Sequence, residues 1–338
     1  MRIKAKDIAK DLGLSTATVS LAINNRPGVN EDTRRRVLEY LESKTAEDEV
    51  SGGNEKIIRM LAFLEDRPYW DSSENTRTYI TFEQASRRAR ECGYKMDLVT
   101  VIRGKDDMGS FLEECIRDNV AGVYVNAAYM EEEDYACFRN FKKPFVVCDQ
   151  DFNDLHTDNI MLNNHQGVFM GLDYLYENGH RDILYFRNTN NFYNMYERRE
   201  AFNRFMEKKG LQSRRNERIV DIGGGTQEAF EGMQRYIEDK KHIPTAIFAE
   251  NYEVTIGISK ALENNGYKIP DDISVVGFDT IPDTALMDYQ PTCICALHDR
   301  KAYVSIGRLL ERIEGDVEES VKIYVNTELI IGDSVRSI

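Results

Sequence analysis

The residues of this chain best suited to chemistry by type and spacing lie within its first 40 positions, and the chemistry they suit is contact with a nucleic acid. Thr16 and Ala17 offer a hydroxyl and a methyl, groups that meet base edges in a major groove. Ser20, Asn24, Arg26 and Arg34 offer donors suited to phosphates, which position a protein without reading sequence. Lys6, Ser15, Thr18 and Leu21 complete the set of expected DNA contacts.

These side chains need short helices to present them. Ile8, Ala9 and Leu12 recur at helical spacing, Gly13 interrupts the run, and Ser15 can cap a second helix carrying Val19, Ala22 and Ile23. Val29, Val37, Leu38 and Leu41 supply a third helix, with Asn30 as its cap and Glu31 and Asp32 in its positive first turn. The pattern predicts a helix-turn-helix whose second helix enters the groove. A generic helical hairpin is the bland alternative.

Catalytic and metal chemistry find little support. No nucleophile, base and orienting group stand together, and the five histidines (His156, His165, His180, His242, His298) lack ligand spacing. Gly223-Gly224-Gly225-Thr226 lacks the lysine of a phosphate-binding loop and reads as a turn before a helix. Asp158 and Asp279 would make a glycosidase pair only at a suitable separation. Among six cysteines only Cys293 and Cys295 are close, on one face of a strand, with His298 the one imidazole nearby. Neither a metal nor a cofactor is expected, and the protein is read as no enzyme.

With 338 residues and 41% apolar content, the chain can hold a small head and a two-lobed body. The formal net charge is -14, yet residues 1–44 carry nine Lys/Arg against six Asp/Glu, so a +3 head precedes a remainder of -17. That balance confines DNA binding to the head. No run of 18 apolar residues occurs and no apolar leader follows Met1, so no membrane contact and a cytoplasmic location are expected.

Residues 45–56 are polar and acidic around Gly52-Gly53 and read as a flexible tether without an evident hinge helix. From Ile57 onward apolar runs alternate with helical stretches, the pattern of open parallel sheets. The reading is 1–44 as head, 45–56 as linker and 57–338 as effector-binding and dimerisation domain. Within the last, one lobe takes about 57–157 and 291–321, the other about 158–290 and 322–335. A helix is expected over Glu131 to Phe141. Two half-sheets imply a cleft at their carboxyl ends. Trp70, the only tryptophan, suits a stacking platform under a ligand ring or a surface plug, and Tyr193 sits in an amide- and aromatic-rich loop at the expected rim.

These segments resemble the LacI/GalR family of bacterial transcriptional regulators. The similarity runs through Asp7-Ile8-Ala9, Gly13-Leu14-Ser15, Thr18-Val19-Ser20, Asn24 and Val29 to Val37, and returns in Gly179-His180-Arg181-Asp182-Ile183, Pro244 to Asn251 and Ile269 to Asp279. It implies an α/β fold with a helix-turn-helix head and a two-lobed, periplasmic-binding-protein-like effector domain with parallel sheets. It further implies a homodimeric, operator-binding regulator, more often repressor than activator, whose effector is a small polar molecule, most often a sugar. Asp149, Arg198, Asn251 and Asp279 fall where members of the family contact effector, with loop capping at strand ends the alternative for Asp149 and Asn251, as for Asp158.

The sequence departs from the family at Leu21, where an arginine is usual, so a guanine contact gives way to an apolar one. It departs again at Glu47-Asp48-Glu49 and Gly52-Gly53, which replace a hinge helix. Effector is then expected to adjust the spacing of two heads. A carbohydrate sensor with weak or lost operator binding is the competing function.

Overall fold

The computed structural model describes residues 5–23, 28–30, 32–37, 40, 56–66, 72–117, 119–190, 192–211, 218–239, 241–282, 285 and 287–338. Asn24, Arg26 and Trp70 lie outside the described residues, as do the side chains of Lys6, Ala17 and Ser20 and the linker reading over 45–55.

The head is built as its spacing predicts. Helices α1 (Ala5–Leu12) and α2 (Thr16–Ile23) are followed by a helical segment at 32–37, α3. Ile8, Ala9, Val19, Ala22 and Val37 close a small core, with Leu12, Leu14, Val29 and Tyr40 packed against it. The turn between α1 and α2 depends on Gly13, whose φ of +67° is the left-handed region a side chain disfavours. Ser15 Oγ accepts from the Thr18 amide at 3.0 Å, and Asn30 Oδ1 from the Thr33 amide at 2.7 Å, so both expected caps form.

The body contains two six-stranded sheets. The first holds β1 (Ile57–Leu64), β2 (Lys95–Ile102), β3 (Val120–Asn126), β4 (Phe145–Cys148), β5 (Asp158–Leu162) and β11 (Lys322–Val325), in the order β11-β5-β4-β3-β1-β2. The second holds β6 (Ile183–Arg187), β7 (Ile219–Asp221), β8 (Ala246–Ala249), β9 (Ser274–Phe278), β10 (Thr292–Cys295) and β12 (Glu328–Ile330), in the order β12-β10-β9-β8-β6-β7. All neighbours are parallel except β10 and β12.

Each sheet is covered on both faces, which is why its central strands are continuous apolar runs. In the first, Ala85 and Ala89 of α4 (Ser72–Glu91) and Ile306, Leu309 and Leu310 of α11 (His298–Glu314) cover one face, and Phe111 and Leu112 of α5 (Met108–Cys115) with Phe138 cover the other. In the second, α7 (Asn164–Glu177) and α8 (Tyr193–Lys208) supply Val168, Leu172, Phe202 and Phe205 to one face; α9 (Thr226–Glu238) and α10 (Tyr252–Asn264) supply Met233, Val254 and Ile258 to the other. Gly167 lets α7 lie close on its sheet, because a Cβ there would meet Thr327 Oγ1 and Ile294 at 2.8 Å.

Three expectations are corrected. β5 and β11 belong to the first sheet, where the lobe boundaries placed 158 onward and 322 onward in the second. β10 belongs to the second sheet, although 291–321 was assigned to the first lobe. The chain therefore crosses between lobes at 162–164, 295–298 and 325–328. Strands buried on both faces carry no mark of which sheet they join; β5 is fixed by pairing with β4 and by Arg308 and Arg312 of α11 on Asp158. Finally, the helix expected over Glu131 to Phe141 is one α turn, α6 (Glu132–Tyr135), continued as a 3₁₀ segment (Ala136–Asn140).

Candidate functional site

Two aspartates stand at matching places. Asp149 directly follows β4 and Asp279 directly follows β9, the third strand from the corresponding edge of each sheet. Both adopt left-handed φ, 63° and 69°, a conformation that Asp tolerates better than most side chains. The Asp149 amide donates to Ile160 O at 3.2 Å and the Asp279 amide to Ile294 O at 2.8 Å. Each carboxylate is thereby turned toward the space between the lobes, beyond the carboxyl ends of the strands.

A chain of polar contacts joins them. Asp149 is ion-paired with Lys301 of α11 and accepts from Asn194 Nδ2 at 3.1 Å. Asn164 Nδ2 donates to Asn194 Oδ1 at 2.7 Å, and Arg198 Nε donates to Asn164 Oδ1 at 2.9 Å. Arg198 Nη1 reaches Glu250 O at 2.8 Å and Asp279 Oδ2 at 3.4 Å, and its guanidinium lies 3.6 Å over the Phe278 ring. Asp279 Oδ1 is 3.5 Å from His298 Nε2, one turn before Lys301 on α11. The circuit closes, and it crosses between lobes at Asp149–Asn194 and at Asp279–His298. Burial pushes the Asp149 carboxyl up, but the Lys301 ammonium outweighs it and holds the group below the usual carboxylate range.

The circuit walls a cleft of about 780 Å³, its open mouth included, also lined by Phe63, Tyr129, Phe192, Asn126, Asn188 and Glu253. The Tyr129 and Phe192 rings meet across the lobes with centroids 5.0 Å apart. Asn251 lines the cleft while capping α10: its Oδ1 accepts from the Val254 amide at 2.9 Å and its Nδ2 donates to Glu253 Oε2 at 3.2 Å. Behind the wall, Glu250 is fully buried and accepts from Arg199 Nε at 2.7 Å, Tyr185 Oη at 3.0 Å and the Asn188 amide at 2.8 Å, which fixes the loop that carries Asn188. Burial raises the Glu250 carboxyl, and Arg199 opposes the shift.

Of the expected effector contacts, Asp149, Arg198 and Asn251 line the cleft and Asp279 stands directly behind Arg198. Tyr193 is corrected: it is half-buried beside Tyr324, and its neighbour Phe192 faces the cleft instead. Asp158 is held by Arg308 at 2.8 Å and Arg312 at 2.9 Å and does not line the cleft, so it makes no pair with Asp279 there. Lys301, His298, Asn164 and Glu253 escaped the sequence reading, whereas Asn194 belongs to the amide- and aromatic-rich loop expected at the rim. Lys301 had a signal: it occupies the same stripe as Ala302, Ser305, Ile306, Leu309 and Leu310, a lysine on a core face.

In the head, Ser15 and Thr16 are exposed and Thr18, Leu21 and Arg34 half-buried. The Ser15 and Thr18 hydroxyls are 2.8 Å apart and share the cap, whereas Leu21 leans on Gly28.

The chain matches two family models: bacterial regulatory proteins of the lacI family over residues 4–43, and the periplasmic binding protein-like domain over residues 172–335. It is 28% identical over 341 residues to the HTH-type transcriptional repressor PurR of Actinobacillus pleuropneumoniae serotype 3 (strain JL03), covering 98% of both chains. It is 26% identical to the probable HTH-type transcriptional repressor ExuR of Bacillus subtilis (strain 168), covering 99% of this chain and 98% of that one. Among solved structures, the lac repressor dimer bound to operator and the anti-inducer ONPF superposes with a TM-score of 0.71 at 18% identity, over 99% of this chain and 100% of that one. The complex of the transcriptional regulator CelR with cellobiose does so with a TM-score of 0.70 at 18% identity, over 98% and 100%.

Proposed function

The chain belongs to the lacI family of bacterial regulatory proteins, and from that premise we propose a homodimeric, cytoplasmic transcriptional repressor that catalyses no reaction. Its head binds operator DNA, and its cleft holds a small polar effector, a sugar, that controls the binding.

The observation that carries this reading is an intact, capped three-helix head in the same chain as a cleft whose polar circuit spans two lobes at Asp149–Asn194 and Asp279–His298. A ligand that exchanges contacts with Asp149, Asn194 or Arg198 alters the angle between lobes, and so the spacing of two heads in a dimer. Thr16 and Ala17 are assigned to base edges; Lys6, Ser20, Asn24, Arg26 and Arg34 to phosphates. Exposed Tyr79 and Ile80, adjacent on α4, are assigned to the contact with the partner copy. Among the described residues no helix is long and apolar enough to cross a membrane.

The test is fluorescence anisotropy with DNA from the protein's own upstream region across a salt series, with and without a panel of sugars. Saturable binding whose affinity falls steeply with salt and changes with one sugar is expected. Sugar binding without any operator binding would replace this reading with that of a carbohydrate sensor.

A further inference from the structure

The loop that brings Asn188 and Phe192 to the cleft is held from behind by two side chains, Glu250 and Arg199, and neither is among the residues that line the cleft. The pair is dry, with side-chain exposures of 0% for Glu250 and 11% for Arg199. Glu250 accepts on both oxygens: Oε1 from Arg199 Nε at 2.7 Å and Tyr185 Oη at 3.0 Å, Oε2 from the Asn188 amide at 2.8 Å and Arg199 Nη2 at 3.3 Å. Arg199 Nη2 also donates to Asn188 O and Asn190 O, each at 3.0 Å. One carboxylate and one guanidinium thus hold the loop by an amide and two carbonyls.

The same loop is tied to the Gly223-Gly224-Gly225 turn. Gly224 O accepts from Asn188 Nδ2 at 2.8 Å and from Asn190 Nδ2 at 3.3 Å, and a Cβ on Gly224 would stand 3.3 Å from Asn190 Oδ1. The glycine run therefore serves a close approach of the rim loop. Phe192 then opens α8, the helix that carries Arg199, and meets Tyr129 of the first lobe.

We infer that Glu250 and Arg199 are positioning residues for the cleft rim, which hold Asn188 and Phe192 where an effector meets them while touching no effector themselves. The inference rests on the proposed effector site for that last step. A glutamine at position 250 offers one acceptor oxygen and an amide group that only donates. Since Arg199 bonds both oxygens, it loses one bond whichever way that amide turns. A lysine at position 199 keeps the charge but not the fork that reaches Glu250 and two carbonyls together.

Hydrogen exchange read by mass spectrometry on the full chain tests the positioning without any ligand. In Glu250→Gln, peptides spanning 187–192 should exchange roughly 10-fold faster, as the loss of one hydrogen bond to a charged group implies, while peptides from α7 and β9 keep their rates. An unchanged rim overturns the inference; so does a rise spread evenly over the second lobe, which is general loss of stability. Should Glu250→Gln fail to fold, Arg199→Lys, which keeps an ion pair with Glu250, decides by the same reading. Titration calorimetry with glucose, galactose, ribose and cellobiose tests the consequence. A sugar that binds the unaltered chain should bind either variant roughly 10-fold more weakly; equal affinity with a loosened rim overturns the role in binding. A rim that loosens in a chain to which none of the four binds supports the positioning role and counts against the sugar reading alone.

Discussion

Replacing Lys301 by Met keeps the length and packing of the stem and removes the charge that Asp149 depends on. The pair is nearly dry, with side-chain exposures of 2% for Lys301 and 12% for Asp149, so the carboxylate that remains cannot recover its hydration. Removing one partner of a buried pair costs about 3–5 kcal/mol. The surviving bond from Asn194 at 3.1 Å places this site near the lower end, at about 3 kcal/mol. The pH dependence has a definite sign. In the unaltered protein the Asp149 pKa is held below its unfolded value, so the pair's contribution is complete at neutral pH and is lost as pH falls through that depressed value. In Lys301→Met burial acts without the ammonium and raises the carboxyl above its unfolded value. The penalty is then largest at pH 7 and is withdrawn as acidification protonates Asp149. Urea unfolding followed by circular dichroism at pH 7 and pH 5 should show a deficit of about 3 kcal/mol that shrinks at the lower pH, and Lys301→Met/Asp149→Asn should recover most of it. A deficit under about 0.5 kcal/mol at pH 7, or one equal at both pH values, would refute the reasoning.

Three further outcomes follow from the same contacts. Burial pushes the Asp158 carboxyl up, but Arg312 and Arg308 outweigh it and lower its pKa; Asp158→Asn should cost about 2–4 kcal/mol at pH 7 in urea melts, and the gap to the unaltered protein should close as pH drops below about 4. Gly13→Ala meets no atom within 4 Å yet must hold φ +67°, so it should destabilise the head by about 1–2 kcal/mol and weaken operator binding in anisotropy while leaving sugar titrations unchanged. Asn194→Ala removes one of the circuit's two crossings between lobes; small-angle scattering should show a larger radius of gyration, and effector affinity should fall by roughly 10-fold, whereas an unaltered scattering curve would show that this contact does not hold the lobes together.

How much was legible in the sequence depended on how local each signal was. The head was legible because Gly13, Ser15 and Asn30 act within three or four residues of themselves, through a left-handed turn and two caps. Strands were legible as the short apolar runs that alternate with helical stretches from Ile57 onward, as in Phe145–Cys148. Lobe membership was not, because it is decided by which strand lies alongside: nothing in Asp158–Leu162 says that Val146 will be opposite Asp158. The 3₁₀ segment after Tyr135 and the inward turn of Phe192 in place of Tyr193 are likewise settled by neighbours distant in sequence.

The site divides along the same line. Resemblance supplied Asp149, Arg198, Asn251 and Asp279, and the fold brings these four around one cleft. It did not supply the residues that connect them, because Asn164, Asn194, His298 and Lys301 have meaning only as links between elements drawn from both lobes. The two aspartates have no common sequence context, Cys148-Asp149-Gln150 against Phe278-Asp279-Thr280, yet they share a strand position, a left-handed φ and an amide bond to the neighbouring strand. That equivalence belongs to the backbone of two similarly ordered sheets. α11 contributes both His298, which reaches Asp279 of the second lobe, and Lys301, which pairs with Asp149 of its own lobe. Asp149 in turn accepts from Asn194 of the second lobe, so each of the two carboxylates takes part in one lobe-to-lobe contact. A ligand that takes over either one must loosen a lobe-to-lobe contact to do so. On the proposed function, binding and lobe movement are therefore one event in this cleft, which gives the head, preceding the first sheet in the chain, a mechanical reason to respond.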